Sequence, residues 1–380
     1  MKSGIAPFAR RKTVIVLTGF GLIVWALTPG GIHAQSTTDL ISAASNPIEE
    51  SNGNSSWRTS MSLFHTFIVA FSSSASNLVA EDTNGTEDVF VWDFDTSTMT
   101  RASVAGISDE ANGSSTAPAV AHPGIYVAFH SNASNLVAND SNTNTDVFVR
   151  DLRASETTLM SVNDDGEQGN DVSYFASISG TGRFVAFTSY ATNLVDGDDN
   201  DVSDVFVREP WYERTTSASA GGDGRSYDAA ISGDGRYVAF TSYAENFVFG
   251  PGNPGPPIDT NGFPDVYVYD QLTGDHDLVS VGSAGELGNG SSHAPAISKQ
   301  GRFVAFMSSS NNLVEGDDNG ARDVFVHDRE TGVTERVGEY VDNFEGLAVE
   351  RRGGRTYLFL ISDEPFEDAN AQLGADVEAD

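Results

Sequence analysis

Cysteine is absent from all 380 residues, and beyond residue 34 the only lysine is Lys299. Without cysteine there is no disulfide, no thiolate nucleophile and no Cys-ligated zinc site. The histidines past that point (His65, His122, His130, His276, His293 and His327) form no His-x-x-x-His pair, which argues against a zinc-enzyme motif. No Gly-x-Ser-x-Gly nucleophile elbow is present, and no phosphate-cradling P-loop. Positive charge is scarce: 21 Lys and Arg stand against 54 Asp and Glu, a formal net of −33. Such a chain repels phosphate backbones, so nucleic acid and anionic membrane surfaces are poor partners. No amphipathic helical period is found past the N-terminus.

What is present begins with an export signal. Lys2, Arg10, Arg11 and Lys12 precede the apolar run Thr13 to Leu27, and Ile32-His33-Ala34 offers a small-residue cleavage site. This reads as a secretory signal peptide over residues 1–34, too short to span a bilayer. Cleavage removes four positive charges and no negative one, taking the net from −33 to −37. The expected destination is the periplasm or the outside of the cell, with no membrane span left.

Residues 35–380 repeat themselves. An apolar strand is centred on Val69, Val127, Val185, Val238, Val304 and Leu358, at gaps of 58, 58, 53, 66 and 54 residues. A second anchor, Asp-Val-[Phe/Tyr]-Val, starts at Asp88, Asp146, Asp204, Asp265 and Asp323. The two anchors lie 19 residues apart except in the fourth copy, where Gly250 to Pro257 inserts eight more. Regular periods of this length mean stacked supersecondary units. Each unit reads as four short antiparallel strands, a to d, typified by Tyr174 to Ser179, Tyr237 to Ser242, Asp204 to Arg208 and Thr157 to Val162. Glycine turns such as Gly233-Asp234-Gly235 join a to b. Related d segments run Thr100 to Val104, Asp277 to Val281 and Thr334 to Val337. The expected fold is all-β: a six-bladed propeller of four-stranded blades, its last copy degenerate. The N-terminal strand Thr38 to Ser42 is expected to complete the last blade and close the ring, removing free sheet edges. Asp376-Val377 is a degenerate candidate for its strand c, within the acidic end Pro365 to Asp380.

Three stretches carry a family likeness: Ser232 to Phe240 (SGDGRYVAF), Ser179 to Phe187 and Ser298 to Phe306, with weaker copies at Ala121 to Phe129 and Leu63 to Phe71. They resemble the WD40-like, TolB-type propeller repeats of bacteria (PD40), over essentially the whole chain past the signal. The resemblance implies the fold and leaves function open, because such propellers serve many roles. Neither the extra N-terminal domain of translocation-protein relatives nor the hydrolase domain of propeller peptidases is evident.

In such a meander the short a–b and c–d hairpins share one face, and the long b–c and d–a links share the other. Binding is expected on the long-link face or at the channel mouth there. Each b–c link carries Asp-x-Asn-x-x-x-Asp: Asp82, Asn84, Asp88; Asp140, Asn142, Asp146; Asp198, Asn200, Asp204; Asp259, Asn261, Asp265; Asp317, Asn319, Asp323. Two chemistries fit this spacing. Alternating oxygen ligands suit a hard cation such as calcium, though the EF-hand glycine and distal glutamate are missing. Asx turns that shape the loop and cap strand c need no ion. Before each loop stands Asn-[Leu/Phe]-Val at Asn77, Asn135, Asn193, Asn246 and Asn312, read as an apolar plug between units. The aspartates Asp93, Asp151, Asp270 and Asp328 at the c–d corner read as turn formers.

The composite expectation is a monomeric, non-catalytic binding platform for a protein or glycan at the cell envelope or outside it. Its alternative is a propeller-fold polysaccharide lyase or hydrolase working through channel carboxylates. The scattered Trp57, Trp92 and Trp211 speak against a shared sugar platform.

Overall fold

Alternating Val, Ala and Phe in the second and third strands of each unit bury both faces of a sheet, and packing follows from that alternation. The computed structural model describes residues 13–18, 21–24, 51–62, 68–121, 124–247, 259–339, 344–352 and 355–362. Five sheets are antiparallel meanders in the order a-b-c-d. The first comprises Ser55–Ser62, Ile68–Ser73, Asp88–Asp93 and Thr98–Arg101. The second comprises Ser115–Val120, Tyr126–Ser131, Asp146–Asp151 and Glu156–Leu159. The third is Ser173–Ile178, Val185–Ser189, Asp204–Glu209 and Arg214–Ser217. The fourth is Ser226–Ile231, Tyr237–Ser242, Asp265–Asp270 and His276–Leu278, and the fifth Ser292–Ile297, Phe303–Ser308, Asp323–Asp328 and Val333–Glu339.

The sixth sheet differs. Phe344–Arg352 and Arg355–Ser362 pair as an antiparallel hairpin, but its third strand is Thr13–Thr18, laid parallel to Arg355–Ser362, with Gly21–Val24 outermost. The apolar run expected as a leader therefore occupies the place of strand c in the full chain. A β-branched segment such as TVIVLT suits an otherwise bare edge. The segments expected to fill that sheet, 38–42 and 376–377, lie outside the described residues, as do 250–257 and 365–380.

Strand d ends sooner than its sequence suggests. Thr157 to Val162 was the expected span, yet the strand is Glu156–Leu159, because Ser161 leaves the ladder and Val162 bridges to Gln168. The core lies between neighbouring sheets and within each b–c pair. Phe129 stacks on Phe148, Phe187 on Phe206 and Phe306 on Phe325, each at 5.9 Å between ring centres. Leu136 and Leu194 of the apolar plugs are buried in clusters shared by adjacent sheets, while Val137 and Val195 are half-buried.

First strands of successive sheets lie against one another in chain order, and Phe344–Arg352 in turn contacts Ser55–Ser62. Glycine in the a–b hairpin permits this approach. Gly182 and Gly235 have φ of +75° and +80°, and a Cβ there would stand 2.3 Å from Tyr126 and Phe184 of the preceding sheet. The hairpins also bond to each other, Gly180 N–H to the Gly233 carbonyl and Asp234 N–H to that of Lys299, both at 2.9 Å.

Candidate functional site: the long-link face

The last aspartate of each acidic loop opens strand c and is buried. In four copies a serine fifteen residues on answers it. Ser103, Ser161, Ser219 and Ser280 donate to Asp88, Asp146, Asp204 and Asp265 at 2.5–2.6 Å. The same hydroxyls accept the N–H of the residue after the aspartate, at 2.9–3.2 Å. In the fifth copy Gly338 stands in the serine's place.

The loop asparagine makes an Asx turn. Asn84, Asn142, Asn200, Asn261 and Asn319 each accept, through Oδ1, the N–H two residues on, at 2.7–3.0 Å. Its amide donates to the buried aspartate at 2.8, 2.9 and 2.6 Å in copies one, three and four. Asn84, Asn142 and Asn261 also donate to a link carbonyl, of Ala111, Gly169 and Gly288, at 3.0–3.1 Å. Asn319 faces both oxygens of Asp323 at 3.1 and 3.3 Å. Among the described residues no group of three or more His, Asp or Glu side chains is set to hold a metal.

In four of the five copies a side chain from elsewhere in the unit or the next link reaches the first aspartate of the loop. Arg101 reaches Asp82 at 3.4 Å, Asp88 at 3.7 Å and Glu110 at 2.7 Å. Gln168 bridges Asp140 and Asp146 at 2.8 and 2.7 Å. Arg336 bridges Asp317 and Asp323 at 3.2 and 3.4 Å. In copy three Ser217 stands where Arg101 and Arg336 stand, and the following link is shorter. In copy four Tyr267 donates to Asp259 at 2.7 Å. Burial pushes Asp146 and Asp198 up to about 6, with a neighbouring aspartate adding to each. Burial, with Asp259 beside it, takes Asp265 to about 7.

The plug asparagines clip the incoming d–a link. Asn135, Asn193, Asn246 and Asn312 each accept a link N–H at 2.9–3.0 Å and donate to a link carbonyl at 2.7–2.9 Å. The corner aspartates act as turn formers: Asp93, Asp151, Asp270 and Asp328 each accept the N–H two residues on. Asp270 and Asp328 also receive Arg236 and Arg302 in two-point pairs at 2.6–2.9 Å, tying the two short hairpins together.

One cluster on this face is not anticipated from the repeat. First strands carry a bulge whose residue is left-handed though not glycine: Ala117, Phe175, Asp228 and Ala294, at φ of 48–55°. Beside the bulge in copies three and four lie Tyr174 with Tyr190 and Tyr227 with Tyr243, ring centres 6.3 and 6.4 Å apart at 30° and 31°. Tyr190 and Tyr243 are 40% and 38% exposed. Burial raises the Tyr174 phenol, helped by its bond to Tyr190 and by Asp228; Tyr227 is pushed up to about 12, by burial and then Tyr243. Arg225 lies 4.4 Å over Tyr243 and 5.6 Å from Tyr227. His130 joins sheets two and three. Its Nδ1 accepts the Phe175 N–H at 3.3 Å, which leaves Nε2 to donate to Thr116 at 2.8 Å. The signal was in the sequence: only copies three and four read Ser-Tyr at both places.

Comparisons with known proteins add likenesses of shape. No protein-family model matches the chain, and no curated sequence does. A putative TolB from Agrobacterium tumefaciens is similar at a TM-score of 0.45 and 12% identity, over 78% of this chain and 87% of that one. The propeller domain of the Trilobed protease from Pyrococcus furiosus, described as having an open velcro topology, gives 0.44 and 11%, over 82% and 78%. An oligogalacturonate lyase solved with manganese gives 0.45 and 10%, over 74% of this chain and 64% of that one. Likenesses at this level leave the chain's activity undecided. Among the described residues no helix is long and apolar enough to cross a membrane.

Proposed function

We propose that the chain is an exported, non-catalytic β-propeller whose six sheets close into a ring and present the long-link face to a protein or glycan partner. Contact of Phe344–Arg352 with Ser55–Ser62, after the ordered packing of the five preceding first strands, supports the ring. The observation that carries the binding role is the half-exposed tyrosine cluster on that face. Aromatic rings with polar tips, partly wet and held by neighbours, suit recognition. Most acidic loops draw donors from within the chain and serve chiefly to shape the same face, though Asp317 Oδ2 stays buried without a hydrogen bond among the described residues.

Export removes residues 1–34; the segment 38–42 then completes the sixth sheet as its strand d, with 376–377 as its strand c. Calcium belongs to the proposal at the third loop, where no arginine or glutamine reaches between Asp198 and Asp204 among the described residues. Its affinity there is expected at roughly 0.1–1 mM, as for extracellular modules.

Capture experiments with the chain from residue 35 test the binding role, reading envelope proteins and a glycan array side by side. Loss of capture on replacing Tyr190 and Tyr243 with leucine supports the reading. Capture that depends on the short hairpins overturns it, and turnover of a polysaccharide would restore the enzyme alternative. Calorimetric titration decides calcium: no heat and no melting shift at millimolar ion removes it.

A further inference from the structure

The fourth sheet shows what its tyrosine pair is built to hold. Arg225 lies over the rings of Tyr243 and Tyr227, at 4.4 and 5.6 Å from their centres. A guanidinium over a tyrosine face is attracted by the ring quadrupole, and its planar fork stacks well there. The third sheet repeats the two rings almost unchanged: 6.3 Å and 30° for Tyr174–Tyr190, against 6.4 Å and 31° for Tyr227–Tyr243. The backbone is repeated as well. Tyr243 N–H donates to the Arg225 carbonyl and Tyr190 N–H to the Val172 carbonyl, both at 3.0 Å. Val172 therefore occupies the position of Arg225, and its side chain brings no cation.

We propose that Tyr174 and Tyr190 form an open clamp for a cation supplied by a ligand, the guanidinium of an arginine side chain in a basic peptide segment. Arg225 in the sister clamp is the chain's own version of that ligand group. The surroundings are mostly acidic: Asp228 acts on the Tyr174 phenol, exposed Asp171 adjoins Val172, and the whole chain carries −33, while Arg225 of the sister clamp acts on Tyr174 and Tyr190 with the opposite sign. A net negative field steers cations in and repels anions. The two rings offer π faces and hydroxyl edges together. The clamp rests on the reading of the long-link face as the binding face and names the chemistry taken there.

Tyrosine ring signals in NMR, followed while N-acetyl-arginine methylamide is titrated into the intact protein, test the clamp. In the wild type the Tyr174 and Tyr190 signals should shift and saturate, and those of Tyr227 and Tyr243 should stay. Arg225→Ala should open the second clamp, so that both pairs respond. Val172→Arg should fill the first from within and weaken binding there at least about tenfold, a loss of ~1.4 kcal/mol. Tyr190→Phe, which keeps the ring, should retain most of the response. The clamp is overturned if the wild-type signals do not move, if Val172→Arg responds like the wild type, or if N-acetyl-glutamate methylamide gives the same shifts. A silent clamp on a face that still captures a partner removes the clamp and leaves the platform. A responsive clamp on a face that captures nothing does the reverse.

Discussion

Ser280 Oγ donates to Asp265 Oδ1 at 2.6 Å, with both residues wholly buried. The same oxygen accepts the Val266 N–H at 2.9 Å, so one hydroxyl satisfies a carboxylate and a main-chain donor. Ser280→Ala would leave both short of a partner in a buried site. The expected loss is about 2–3 kcal/mol of unfolding free energy, measured by denaturant titration. A loss below about 0.5 kcal/mol would show that water replaces the hydroxyl.

Stability should fall as pH rises from about 4 to about 7. Asp146 and Asp198 titrate at about 6 and Asp265 at about 7 in the folded chain, all raised first by burial. In that window the unfolded chain has released these protons while the folded chain holds them, so unfolding frees protons and higher pH favours it. Above about 7 the slope from these groups vanishes. Asp259→Asn should lower the folded pKa of Asp265 and flatten the upper part of the curve. Melting temperatures across the range provide the check.

Below pH 4 the sign reverses. Asp270 and Asp328 lie below the ordinary carboxylate range: partial burial works against them, and the bonds from Arg236 and Arg302 outweigh it. Their stabilisation is present above the unfolded pKa and is lost as pH falls through the folded one. An acid-side stability maximum, near pH 4–5, is the combined expectation. Arg302→Gln should lower the melting temperature at pH 6, where Asp328 is ionised and paired, and the effect should shrink as pH falls through the lowered folded pKa of Asp328.

Two glycines with almost the same backbone should respond unequally to alanine. Gly235 and Gly197 have φ of +80° and +82°; a Cβ would meet Phe184 at 2.3 Å at the first and nothing within 4 Å at the second. Gly197→Ala should cost about 1 kcal/mol, from left-handed backbone alone. Gly235→Ala adds a clash at the seam between sheets, and its melting temperature should drop clearly further. Equal losses would place that seam elsewhere.

Strands b and c were legible because their signals are local: alternating Val and Phe, bounded by glycine on one side and the acidic loop on the other. Tyr237–Ser242 falls where the pattern puts it. Strand d was legible only in part. Ser161 could have continued the strand, and what removes it is Asp146, fifteen residues away. Asn84 as an Asx-turn former follows from spacing. That Arg101 reaches Asp82 and Asp88 does not, since it comes from the next strand but one and only Arg336 repeats it. The tyrosine cluster was hidden for a different reason. A search for what all copies share passes over Tyr174, Tyr190, Tyr227 and Tyr243, which two copies alone possess.

Asn135 and Asn193 fasten each incoming link by gripping only main-chain N–H and C=O groups. Asn112 and Asn170 of the links accept the Ser134 and Thr192 N–H groups in return, so a joint made by one repeated side-chain pair accepts any neighbour that carries the pair. Unequal crossing-over within the coding sequence could then insert or delete a whole module without re-matching the seam. The number of modules would change and the fastening would not, leaving individual modules free to diverge in sequence, as the two tyrosine-bearing ones have.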